Sequence, residues 1–488
     1  MRQLIIFSTY LLIAFSFSNC NETIENYKET GTKPAIFPDY IDVTIPYNIA
    51  PLNFKFKGEG EAFFVRIEGK NGEITFYSDK KIQIPIEKWK KLLEQNRGDS
   101  LKVHLFVKNN GIWNKYKAFT WFVAKEPIDS HLVYRLIEPG YVGFNEMGIY
   151  QRDIENFDEK AIIHNDLTER SCINCHAFCN KDPKKLMFHS RLRNAGTIII
   201  DGDKIKKIDT KTSETIAAGT YPAWHPFGKF IAFSINKPQQ VFHLNPERRA
   251  EISDIESDIV VLDIDKSELF SDPKLMMKPV EETFPSFTAD GKRLIFATFT
   301  PSPSDTGYTN IRYSLCAIDF DGDKRKFGDK VDTLISASKI GKTVAFANAS
   351  PDGKYILCSL ANNGVFTSWN KESDLYLYYI SSGELTPLTA SNTDDSESYN
   401  TWSSNSSWIV LSSRRMDGHY NRPHITYVDS QGKTTKAFVM PQFDPDFYTM
   451  FLKIYNRPEL ITGPVTIDPY EIERVAKNSE IQKVTFKK

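Results

Sequence analysis

Tyr221-Pro222-Ala223-Trp224-His225-Pro226-Phe227-Gly228-Lys229-Phe230-Ile231-Ala232-Phe233-Ser234 is the stretch from which the fold is read. Its pattern returns at Phe284-Pro285-Ser286-Phe287-Thr288-Ala289-Asp290-Gly291-Lys292-Arg293-Leu294-Ile295-Phe296-Ala297. Shorter copies follow at Ala349-Ser350-Pro351-Asp352-Gly353-Lys354-Tyr355-Ile356-Leu357-Cys358-Ser359 and at Thr401-Trp402-Ser403-Ser404-Asn405-Ser406-Ser407-Trp408-Ile409-Val410-Leu411-Ser412. Each copy reads as a strand end, a tight turn and a buried strand. Gly228, Gly291 and Gly353 are 63 and 62 residues apart, and Ser406 takes the glycine position 53 residues later. Further strands with polar turns follow at 258–264, 313–320, 374–380 and 424–429. A unit of this kind buries its two faces only against its neighbours, so one four-stranded propeller blade per repeat is the expectation.

The core of the repeat, Trp/Phe-Ser-Pro-Asp-Gly-Lys followed by an apolar strand, resembles the TolB-like β-propellers over residues 220 to 440. Degenerate blades are expected before it, at Val133 to Ile163 and Gly196 to Ile216, which makes six blades, with seven as the alternative. The region from Tyr40 to about Ala124 reads as short alternating strands, Leu101 to Val107 being the clearest, with one amphipathic helix around Ile86 to Gln95. About seven strands in this length point to an immunoglobulin-like sandwich. The expected fold is therefore all-β: sandwich over 37–126, propeller over 130–440, and a tail over 441–488 packing on the propeller, with a short helix near Tyr470 to Lys477.

Chemistry concentrates in Cys172-Ile173-Asn174-Cys175-His176. Cys-x-x-Cys-His is the attachment signature of c-type haem, with two thiols for the vinyl groups and an imidazole for the iron. With 6 Cys and 9 His in 488 residues, about 0.001 such matches are expected by chance. On this reading Cys172 and Cys175 form the thioethers and His176 is the proximal ligand. Met187, His189 and His225 are the candidates for a sixth iron ligand. The alternatives are a disulfide, or a zinc site of Cys172, Cys175 and Cys179 with His176 or His189.

Sandwich, Cys-x-x-Cys-His, Phe188-His189-Ser190-Arg191 and Tyr221-Pro222-Ala223-Trp224-His225-Pro226 together resemble a group of Bacteroidetes exported TolB-like proteins that carry a c-haem motif. That resemblance implies architecture and a haem; it implies no particular reaction. Cys179 is an addition to the group's pattern.

The N-terminus agrees with export. Arg2 precedes an apolar run from Leu4 to Ala14 that leads to Cys20, the pattern of a lipoprotein signal over residues 1–20 with Cys20 lipidated. Residues 21–36 read as a flexible tether. Haem is attached to this motif outside the bacterial inner membrane, so an outer-membrane-anchored lipoprotein, periplasmic or at the cell surface, is expected.

Several classes are set aside. Net charge is −1 with pI about 6.8, so no basic field favours nucleic acid. No Gly-x-Ser-x-Gly is present and too little chain follows the repeats for a hydrolase domain. Asp319, Asp321 and Asp323 run into Lys324-Arg325-Lys326, which spoils a calcium loop and leaves a hairpin turn. Cys316 and Cys358 lie in strands and read as core thiols; His104 reads as a surface residue. Two roles remain: electron transfer or another redox step in an envelope complex, with a membrane anchor and a redox partner at the propeller face, or a non-redox scaffold binding protein or glycan.

Overall fold

The computed structural model describes residues 24–139, 145–244, 250–302, 308–478 and 480–487. The expected export signal and Cys20 lie outside them. The chain is mostly β and is built of many small sheets. No helix of the described residues is long and apolar enough to cross a membrane.

Among the described residues, five sheets have four consecutive antiparallel strands each, and one more has three consecutive strands and one distant one. The first sheet pairs His131–Ile137, Gly148–Asp153 and Glu159–His164 with the distant strand Ile454–Ile461. The second runs Cys172–Phe178, Lys185–Arg191, Gly196–Asp201 and Lys204–Asp209. The other four begin with Thr220–Trp224, Glu281–Phe287, Thr343–Ala349 and Glu397–Trp402. These leading strands neighbour one another in order, and Ile454–Ile461 lies between Glu397–Trp402 and Cys172–Phe178. The series is therefore a closed ring. Residues 441–488 do more than pack beside it, because Ile454–Ile461 is the strand that closes it. Farther on, Gln482–Lys483 and Thr485–Phe486 add parallel edge strands to the second and third sheets, and the helix Pro469–Asn478 buries Ile472, Val475 and Ala476.

The repeated turn has a local cause. Asp290 Oδ1 accepts from the Thr288 hydroxyl at 2.7 Å and the Lys292 amide at 3.1 Å. Asp352 does the same with Ser350 and Lys354, and Asn405 with Ser403 and Ser407. The residue after each acid or amide sits in the left-handed region: Gly291 at φ 69°, Gly353 at 73° and Ser406 at 61°. Ser406 thus holds a conformation that glycine adopts without strain.

The N-terminal unit has a seven-stranded sheet facing a three-stranded one, Ile36–Phe37, Phe54–Phe56 and Lys81–Ile82. Its helix Ile86–Gln95 buries Trp89, Leu92 and Leu93. Trp89 stands edge-on to Trp121 at 5.4 Å and donates to the Ile49 carbonyl at 2.8 Å. One apolar cluster runs from this unit into Trp408, Val410 and Ile425 of the sixth sheet and Tyr455 of the ring-closing strand. At the joint, Asp129 accepts from the Ser404 amide at 2.8 Å. The expected tether is partly structured: Tyr27–Glu29 pairs in parallel with Ile112–Lys115. The cause is the Tyr27 ring, which packs edge-on against Phe106 at 5.5 Å under the Lys115 ammonium. His104 lies within a strand, its Nε2 3.2 Å from Glu68, half-buried rather than free on the surface.

Candidate functional site

Each of the six leading strands carries one residue in the left-handed region: Cys175 at φ 52°, Tyr221 at 45°, Phe284 at 50°, Phe346 at 52°, Tyr399 at 36° and Arg457 at 50°. At each of them the pairing register slips. This is a bulge with an extra residue on the inner strand. The bulge re-aims that side chain toward the middle of the ring. Tyr221 meets Phe284 at 4.6 Å, Phe284 meets Phe346 at 4.9 Å, and Phe346 stacks on Tyr399 at 4.5 Å. Four of the six positions are thus filled by one chain of aromatic rings. Cys175 and Arg457 occupy the other two.

Beside them opens a cavity of about 580 Å³, within the usual range for a ligand or cofactor pocket. Cys172, Asn174 and Cys175 line it, with Arg135 and Arg457 from the first sheet. Residues i and i+3 of a regular strand face opposite sides. The bulge between Asn174 and Ala177 is what brings both thiols to one cavity. The far wall comes from a long hairpin, Phe230–Phe242 and Ala250–Asp263, which contributes Asn236, Pro238, Gln240 and Ile252.

Cys172 and Cys175 are free thiols, both part-exposed. Burial raises the Cys172 thiol, opposed by the Arg135 and Arg191 guanidiniums. His176 is fully buried and does not line the cavity; its ring lies 6.3 Å from Phe178. Neither His176 ring nitrogen has a hydrogen-bond partner of good geometry. Burial, with Arg457 and Arg135 nearby, holds its pKa well below the ordinary range, and the Arg457 backbone opposes this only in part. The imidazole is therefore neutral, the form that binds a metal.

The sixth-ligand candidates lie elsewhere. Met187 is packed among Trp224, Ile231 and Phe233 between the second and third sheets. His189 shares that side, its Nδ1 2.9 Å from the Thr197 hydroxyl and its ring 5.7 Å from Phe233. His225 follows the end of its strand and holds the first copy of the repeated turn. Its Nδ1 accepts from the Phe227 amide at 3.3 Å and its Nε2 lies 3.1 Å from the Gly291 carbonyl. None of the three lines the cavity.

The zinc arrangement is not assembled. Among the described residues no three of His, Cys, Asp and Glu converge on one point. Cys179 lies beyond the far end of the strand, 3.7 Å from the His225 carbonyl, with its thiol raised to about 11 by burial. Cys316 and Cys358 are buried free thiols, burial pushing Cys358 up to about 12. Asp321 accepts from the Lys324 amide at 2.9 Å in a hairpin turn.

The aromatic ring and the arginines are absent from the sequence reading. A signal for them exists: Tyr221-Pro222 and Phe284-Pro285 each begin three residues before an apolar strand end and Arg457-Pro458 four, as Cys175-His176 begins three before Phe178.

No protein-family model matches the chain, and no curated protein matches it. Solved structures similar to it include a DUF4784 family protein from Bacteroides caccae, 10% identical, covering 75% of this chain and 96% of that one at a TM-score of 0.32. A prolyl oligopeptidase B from Galerina marginata is 11% identical, covering 80% and 54%, at 0.34. The periplasmic gluconolactonase of Pseudomonas aeruginosa is 10% identical, covering 62% and 81%, at 0.25. At these scores the likeness carries no argument about fold or function.

Proposed function

We propose that the six-sheet ring is a six-bladed TolB-like propeller behind an immunoglobulin-like sandwich, and that it carries one covalent c-type haem. The observation that supports this is the shared opening of Cys172 and Cys175 onto one cavity of cofactor size, beside a neutral imidazole whose nitrogens lack a hydrogen-bond partner of good geometry. Buried polar atoms without partners are rare and call for one. Cys172 and Cys175 would hold the group by thioethers, and His176 would supply the iron-binding nitrogen. Such a haem supplies one-electron exchange when bound.

The chain's own part is to present and shield. The bulge turns both thiols to one side of the strand. Tyr221 and Tyr399 border both the cavity and the aromatic plug, so the plug bounds the site on that side. The leading role is electron transfer in the cell envelope, in a lipoprotein anchored through Cys20 and meeting a redox partner at the ring's face.

The test is an absorption spectrum, oxidised and dithionite-reduced, of protein made in a host with c-haem maturation machinery, with a denaturing gel stained for haem. Sharp reduced bands and a stained band that survives denaturation are expected. A colourless protein from a competent host overturns the haem and leaves a non-redox scaffold.

A further inference from the structure

The haem cavity is charged on one side only. Arg135, Arg191 and Arg457 line it, and among the described residues no Asp or Glu does. Among the described residues none of the three guanidiniums takes part in an ion pair. Arg135 is 9% exposed and its Nε is buried without a partner. Arg457 donates from Nη2 to the Pro222 carbonyl at 2.9 Å, which fixes its side chain. A guanidinium buried without a counter-charge, as Arg135 is, is costly unless a ligand supplies one; Arg457 is half-buried and Arg191 exposed at the rim. The remaining walls are apolar at Ile137, Met147, Ile252 and Phe366.

We infer that Arg135, Arg191 and Arg457 form a carboxylate clamp, and that the cavity selects a flat, largely apolar ligand bearing two carboxylates, the chemistry of a tetrapyrrole dicarboxylate. This rests on the haem reading and deepens it. The two thiols and the arginines line the same cavity, so one ligand can meet both sets. Guanidinium and carboxylate match in shape and pair by two parallel hydrogen bonds.

The experiment separates the clamp from the covalent bond. The full chain with Cys172→Ala and Cys175→Ala is titrated with protoporphyrin IX and, separately, with its dimethyl ester, binding being read by absorbance and fluorescence. The free dicarboxylate is expected to bind at least about tenfold more tightly than the diester. Arg135→Gln with Arg457→Gln is expected to remove that preference, weakening dicarboxylate binding more than diester binding. Arg191→Gln, at an exposed position, provides a variant whose folding is not in question and is expected to weaken dicarboxylate binding in the same sense. Equal binding of both porphyrins, no binding of either, or a preference that survives all the arginine changes overturns the clamp. Covalent haem in the unaltered protein together with equal binding would sink the clamp and keep the haem. Selective dicarboxylate binding without covalent haem would do the reverse.

Discussion

Two halves of one ring use the same backbone device for different ends. In the third to sixth sheets the left-handed bulge residue is Tyr221, Phe284, Phe346 or Tyr399, and the rings fill the middle. In the first and second sheets it is Arg457 and Cys175, and beside them the middle is open. The bulge is a property of the architecture, since it recurs whatever side chain it carries. Chemistry enters where the side chain departs from aromatic. A positive φ at Cys175 taken alone would read as strain stored for a reaction; five equivalents elsewhere in the ring show that it is the ring's ordinary geometry.

The largest expected effect comes from making one half resemble the other. Cys175→Tyr places in the second sheet the residue that the third and sixth already hold there. It should fold, fill part of the cavity and abolish covalent haem, as should Cys172→Ala with Cys175→Ala. A haem-stained band in either would break the comparison. The reverse change, Phe284→Ala or Phe346→Ala, opens the plug. It should lower stability by about 3 kcal/mol in denaturant unfolding and leave haem attachment intact. A loss below about 1 kcal/mol would mean that the rings are not packed as a plug.

The side of the ring near the long hairpin carries two carboxyls whose protons the fold retains. Burial raises Asp254 to about 7 and Glu282 to about 8, against ordinary values of 3.8 and 4.5. The folded state therefore binds these protons more tightly than the unfolded chain does. Their contribution is complete below the ordinary values and is lost as pH rises through about 7 and 8. The contribution of these two groups should fall between about pH 4 and pH 8, so Asp254→Asn with Glu282→Gln should make the change in stability over that range less negative in unfolding curves. An unchanged slope would contradict the assignment.

The smallest effect is the most diagnostic for His176. If no cofactor meets its nitrogens, they are simply unsatisfied in the core. In haem-free protein His176→Leu should then gain about 1 kcal/mol. In protein loaded with haem the same change should shift the reduced bands while the thioethers remain. Unaltered bands would remove His176 from the site.

The repeat turns were legible because their cause is local: an acid or amide, a left-handed glycine and an apolar strand follow one another within a few residues. Cys172-Ile173-Asn174-Cys175-His176 was legible for the same reason. Ring closure was not. Ile454–Ile461 meets its partner His131–Ile137 across more than three hundred residues, and no local signal distinguishes it from a tail. Arg135 and Arg457 are unremarkable in their own strands, Arg191 stands out only as part of a motif, and the three become a group only around the cavity. Met187 and His189 stand near the motif in sequence and His225 at the end of a blade strand, but packing holds all three in other clusters.

The claim at the centre is that Cys172 and Cys175 carry a haem, and the intact mass of the mature chain tests it most directly. Purified from a host that loads a reference c-type cytochrome, the protein should weigh its polypeptide and anchor plus one haem, with the added mass on the peptide containing 172–176. An unmodified peptide, with both cysteines alkylated as free thiols while the reference cytochrome is loaded, would contradict it.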